Sequence, residues 1–242
     1  MRTLLAAALL SLVGCAPAIP SARPEQPATP RREALEDATR RAPTEPTVEF
    51  ASLRRCPRVA AAPKVFAIGS STLGATLGPI LKRSLQARGA SFDRFGKSSS
   101  SVVRPDFFDW PAKVKQLARK EDPDVWVIAL GTNDSQAIWP RRGFVIRHDD
   151  PRWDTTFAKL VDELLSLASG ADRQRAVIWV GPYAFRGWAS RDIGVRVNAI
   201  LKARTAAFAG PAFYVDAYEP TLDRDTRKPI TEFVPRGTTE IL

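Results

Sequence analysis

From Lys64 onward, short apolar runs of strand length alternate with longer segments whose apolar residues recur at helical spacing, and no other feature constrains the fold as much. Lys64 to Gly69 reads as a buried strand, apolar past its first residue and ended by glycine. Leu73 to Ala87 places Leu77, Ile80, Leu81 and Leu85 near helical spacing. Gly89 is positioned to stop that helix, and Pro79 must sit early in it or break it. Ser91 to Phe95 is a weaker strand, and Trp110 to Lys120 a short helix with Pro111 in its first turn. Asp124 to Leu130 is the clearest buried strand. Trp153 to Ala168 is an amphipathic helix through Phe157, Leu160, Val161, Leu164 and Leu165. Ala176 to Val180 is a strand ended by Gly181-Pro182, Ile193 to Phe208 a helix, and Phe213 to Asp216 a last strand.

This alternation predicts a three-layer α/β/α sandwich around a parallel sheet of about five strands. Functional residues in such sheets lie just past the carboxyl ends of the strands. The segments to inspect are therefore Gly69 to Gly74, Gly96 to Asp109, Gly131 to Gln136, Gly181 to Trp188, and the residues after Asp216.

The first 63 residues read differently. Met1 to Gly14 holds Arg2 and an apolar run from Leu4 to Leu12, too short for a membrane-spanning helix. It ends in Leu12-Val13-Gly14-Cys15, which resembles a bacterial lipoprotein signal whose cysteine becomes the lipidated first residue. From Cys15 to Pro63, prolines recur among Ala, Thr, Arg and Glu, a composition that cannot bury a core and predicts a semi-extended tether. Residues 1–14 are thus read as signal, 15–63 as lipidated cysteine plus tether, and 64–242 as the domain. The expected location is the bacterial cell envelope, on the periplasmic or surface side of a membrane.

The chain has 36 Lys and Arg against 26 Asp and Glu, a formal charge of +10. Some of that charge lies in the tether and some on helix faces such as Lys82-Arg83 and Lys113 to Lys120, as solvated surface or as an attraction to anionic lipids or acidic polysaccharide. The export signal and the lack of a recognisable binding motif argue against nucleic acid as a partner. Two cysteines, Cys15 and Cys56, exclude a disulfide framework and a cysteine-rich zinc module, and the single histidine, His148, excludes a histidine-rich metal centre.

Ser71 stands in Gly69-Ser70-Ser71-Thr72-Leu73-Gly74, a strand-to-helix turn. A serine there is exposed, and its N–H points into the cleft with a helix dipole behind it, which suits a nucleophile whose product is an oxyanion. Asn133, in Gly131-Thr132-Asn133-Asp134, can donate its side-chain amide to an oxyanion, or Asn133 or Asp134 can cap a helix. With these two blocks in order, and Arg104-Pro105-Asp106-Phe107-Phe108-Asp109-Trp110-Pro111 between them, the chain resembles the SGNH (GDSL-type) hydrolases, and a bacterial envelope subgroup of them. The likeness runs from Lys64 to Asp216 and implies an SGNH, flavodoxin-like fold and ester hydrolysis without a metal or organic cofactor. It implies Ser71 as nucleophile and oxyanion N–H donor, Asn133 as a second donor, and a third N–H from Gly96 or, by alignment to the Arg-Pro-Asp segment, Ser101. A plausible substrate class is small acyl groups on envelope or extracellular saccharides.

The sequence departs from that family in two places. Ser70 replaces the aspartate of the first block, and no Asp-x-x-His follows the last strand, where the family keeps its general base and a closing helix. Asp223 and Asp225 occur there without a histidine, and His148, in Arg147-His148-Asp149-Asp150, remains as a displaced base. Trp139, Trp153, Tyr183 and Trp188 lie near strand-end loops and could pack on a sugar ring. The expectation is a serine ester hydrolase impaired by the missing base. The alternatives are an inactive saccharide-binding or scaffolding lipoprotein on the same fold, or a shortened form of an active esterase.

Overall fold

Five strands run parallel in the order β2-β1-β3-β4-β5: β1 (Lys64–Gly69), β2 (Ser91–Gly96), β3 (Val125–Ala129), β4 (Ala176–Val180) and β5 (Ala212–Val215). They come from a computed structural model that describes residues 61–140, 143–172, 174–184 and 191–229. The leader, Cys15, Cys56, the tether up to residue 60, Trp188 and the segment after residue 229 lie outside the described residues.

The strands are short and apolar because both faces are covered. Phe66, Ile68, Trp126, Ile128, Val177, Trp179 and Tyr214 project to one face. There they meet α2 (Trp110–Glu121), α3 (Arg152–Ser169) and α4 (Arg191–Ala207). Val65, Ala67, Val125, Val127, Ile178, Phe213 and Val215 project to the other face, against Leu77, Leu81 and Leu85 of α1 and the turn before it. Among the described residues α1 (Gly78–Gln86) is the one helix on that side. The α/β sandwich expected from the sequence is the fold observed, with element ends shifted by a residue or two.

Two local features depart from a simple reading. The start of the first helix is wide: Leu73–Leu77 forms a π-type turn in which the Gly78 N–H donates to the Leu73 carbonyl. Pro79 supplies the reason, since it has no N–H for the carbonyl four residues back and its ring crowds that carbonyl. The second is a hairpin absent from the sequence reading. Ile138 and Ile146 exchange backbone hydrogen bonds of 2.8 and 3.0 Å, antiparallel, between β3 and α3.

The strand order reverses between β2 and β3, on either side of β1. The crevice at the carboxyl ends of these strands is the switch point where open α/β sheets of this order bind ligands.

Candidate active site at the switch point

Ser71 sits at that crevice. Gly69 ends β1 so close to β3 that an added Cβ would lie 2.7 Å from the Ala129 carbonyl oxygen and 2.8 Å from Leu73 Cβ, so only glycine fits. The turn that follows is held by the Ser70 N–H donating to the Ala129 carbonyl (3.4 Å) and by the Ser70 carbonyl accepting from Leu73 (3.1 Å) and Gly74 (3.4 Å). Ser70 is consequently buried, while Ser71 is exposed in the first helical turn, where N–H groups have no intrahelical acceptor. Its hydroxyl makes no hydrogen bond among the described residues. Ser70, in place of an aspartate, is held by backbone bonds to β3 and the helix start.

Asn133 comes from the loop after β3. Gly131, with a φ of +138°, starts a turn closed by the Asp134 N–H donating to the Gly131 carbonyl (3.0 Å). The Asn133 side-chain amide donates to the Ser100 carbonyl at 3.0 Å, and the Asn133 carbonyl accepts from Gln136 Nε2 at 2.6 Å. One amide hydrogen of Asn133 is thus spent on the β2 loop, and the other has no acceptor among the described residues. That bond puts Asn133 beside Ser101, whose side chain is buried with an unpartnered Oγ. Gly96 stands elsewhere, at the end of β2 opposite Gly69 in register, and a Cβ there would meet Ser70 and Gly74 backbone at 3.6–3.7 Å. Asn133 therefore groups with Ser101, and Gly96 with the serine turn.

Asp134, which the sequence offers only as a candidate helix cap, is a buried link between two loops of the candidate site. Its carboxyl is fully buried, accepts the Val103 N–H at 2.9 Å through Oδ1, and leaves Oδ2 without a partner. Burial raises its pKa to about 7, against the pull of the Val103, Val102 and Gly131 N–H groups. It clamps the loop carrying Ser101 to the loop carrying Asn133. Arg104 reinforces the junction, pairing with Asp106 at 2.8 Å and donating to Gln136 Oε1 at 3.2 Å.

A small apolar cleft of about 50 Å³ opens beside the serine turn. Thr72 and Ile80 line it from the first helix, Leu130 and Thr132 from the β3 loop, and Val180 and Tyr183 from the β4 loop.

His148 does not join this group. Its ring is exposed, and its carbonyl accepts from Arg196 of α4 at 2.6 Å. Arg196 also pairs with Asp154 of α3 at 2.5 Å, so the His148 loop is fixed to the two helices on the face opposite α1. Asp216 and Asp223, past β5, are used locally. Asp216 accepts the Tyr218 and Glu219 N–H groups at 2.8 and 3.2 Å, and Asp223 accepts the Thr226 N–H and hydroxyl, each at 2.8 Å. Of the aromatic residues named above, Trp139 is exposed and Tyr183 lines the cleft. Trp153 is fully buried with its indole N–H on the Gln136 carbonyl at 3.0 Å, so it supports the β3 loop from beneath and offers no face to a sugar.

A family described as a protein of unknown function, DUF459, matches residues 64–233. The chain belongs to this family. No curated protein matches it. Among solved structures, the chain is similar to an alpha/beta hydrolase enzyme from the metagenome of Lake Arreo, Spain. That likeness has 18% identity and a TM-score of 0.45, covering 63% of this chain and 77% of the other. It is also similar to a carbohydrate esterase family 3 protein from Talaromyces cellulolyticus, with 15% identity, a TM-score of 0.47 and coverage of 69% and 88%. A third likeness is to an acetyl xylan esterase from Geobacillus stearothermophilus, with 15% identity, a TM-score of 0.39 and coverage of 71% and 89%.

Proposed function

We propose that this member of the DUF459 family is a serine ester hydrolase of the SGNH type, acting on small acyl groups of an envelope or extracellular saccharide. One observation carries the reading: an exposed, unpartnered Ser71 hydroxyl stands on a strand-to-helix turn at the switch point, flanked by the loops that bear Asn133 and Ser101. In the proposed reaction the Ser71 Oγ attacks the ester carbonyl as its proton passes to hydroxide. The tetrahedral oxyanion collapses and expels the saccharide alkoxide, which takes a proton from water, and a further water cleaves the acyl-serine to free acid and Ser71. The N–H of Ser71, the N–H of Ser101 (or Gly96) and the free amide hydrogen of Asn133 receive the oxyanion. The apolar cleft beside Thr72 and Thr132 takes the acyl group. With no histidine on the serine turn or in the cleft, turnover is expected to be slow.

The proposal also includes lipidation at Cys15 in the bacterial envelope, supported by the leader sequence. Labelling with a radioactive fatty acid, lost in Cys15→Ser, tests it.

The test of the chemistry is hydrolysis of p-nitrophenyl acetate by the purified chain beside Ser71→Ala. A rate that depends on Ser71 supports the proposal, and equal background rates in the two proteins sink it. The second reading, an inactive saccharide-binding lipoprotein, is favoured by the engagement of Asp216 and Asp223 in local turns. It predicts equal rates together with retained saccharide binding.

A further inference from the structure

We propose that a second cavity, at the loop that carries Ser101, binds an organic ammonium ion with an apolar body. The cavity holds about 240 Å³ and lies where α2 and α3 meet the loops after β2 and β3. Val102 and Phe108 wall it from the first loop, Ile138 from the second, and Leu160 and Leu164 from α3. It shares no lining residue with the cleft beside Ser71. An engineered apolar cavity of roughly 150 Å³ takes up benzene, so a body of phenylalkyl size fits here.

The polar groups of the lining decide the head of the ligand. Pro105, Pro111 and Pro140 complete the wall and have no N–H to offer. The two polar side chains in the lining are Thr156 and Glu163. The Thr156 hydroxyl spends its proton on the Arg152 carbonyl at 2.8 Å, so it meets a ligand as an acceptor. The Glu163 carboxylate is exposed and makes no ion pair or hydrogen bond among the described residues. Thr156, Leu160 and Glu163 follow one another at spacings of four and three, which places them on one face of α3. A ligand lying along that face meets apolar carbon in the middle and the carboxylate at one end. A positively charged head that donates hydrogen bonds complements Glu163, whereas a carboxylate or phosphate would find no donor among these side chains.

The charge of the whole chain does not produce this preference. At +10 its general field repels a cation, so attraction for one is local to Glu163. Val102 stands between Ser101 and Val103, and Asp134 holds the Val103 N–H, so a ligand in the cavity touches the loop of the candidate oxyanion site. The inference does not rest on ester hydrolysis.

Calorimetric titration of the full chain at pH 7 tests it, with 2-phenylethylammonium and with 2-phenylethanol, the uncharged analogue of the same skeleton. The expected result is binding of the ammonium with a Kd on the order of 1 mM. Its affinity is expected to exceed that of the alcohol about three- to fivefold, the range that an exposed ion pair supplies. Glu163→Gln is expected to erase that preference while the alcohol binds as before. Glu163 is exposed, so the variant is expected to fold, and unchanged circular dichroism checks that. Nuclear Overhauser contacts from the probe ring to the methyl groups of Leu160 and Leu164 locate the site. Four outcomes overturn the proposal: no binding of the ammonium, equal affinity for the two probes, a preference that survives Glu163→Gln, or a bound probe without contacts to Leu160 and Leu164.

Discussion

Asp134 shows how one buried carboxyl couples the site to pH. The fold holds its proton to about pH 7, whereas the unfolded chain releases it near 3.8. Folded protein thus keeps a proton that unfolded protein has lost across that window. Its contribution to stability is complete below about pH 4 and falls away as pH rises toward 7. The full span amounts to on the order of 4 kcal/mol. Asp134→Asn keeps an acceptor for the Val103 N–H and removes the ionisation. Melting temperatures from pH 4 to 8 are expected to decline less steeply in the variant, which should be the more stable protein at pH 8. Parallel curves would refute this role. Asn133 acts at the same scale. If its second amide hydrogen meets an oxyanion, Asn133→Ala lowers any Ser71-dependent rate by about 10²–10³. A change under threefold would remove Asn133 from the chemistry.

At the scale of elements, the serine turn exists because strand, glycine and wide helical turn succeed each other without slack. Gly69→Ala puts a methyl group against the Ala129 carbonyl and Leu73, both part of the framework. The expected cost is about 2 kcal/mol or more, read as a shift in the denaturant midpoint, together with loss of Ser71-dependent activity. Retained stability would mean that β1 can move away from β3. The helices were legible from the spacing of their apolar residues and the strands as short apolar runs with turn residues at their ends, as in Val65 to Gly69. The hairpin at Ile138 and Ile146 was not. Its pairing is a single bridge, its signal is two isoleucines eight residues apart, and Pro140 and Gly143 alone read as loop. The buried fate of Trp153 was likewise hidden, because a tryptophan before a helix suits a rim or a core equally until the β3 loop closes over it.

Across the whole molecule, the question is whether the lone histidine serves Ser71. The His148 loop is bound to α3 and α4, and the cleft beside Ser71 opens toward α1 and the ends of β3 and β4. His148→Ala is expected to leave any Ser71-dependent rate unchanged within twofold, and the pH–rate profile to rise with hydroxide without a plateau near pH 6.5. A tenfold loss in that variant would instead make His148 the base.

The sequence by itself determined the layered α/β architecture and the two loops that bear Ser71 and Asn133. Those follow from hydrophobic periodicity and turn residues, which are local. The tertiary structure decided which groups meet. It set Ser101 beside Asn133, buried Asp134 between two loops, engaged Asp216 and Asp223 in their own turns, and carried His148 to the helices of the other face. Each of these depends on strand order and on packing between residues about 30 or more positions apart or on how a loop folds back, and a linear pattern does not encode them.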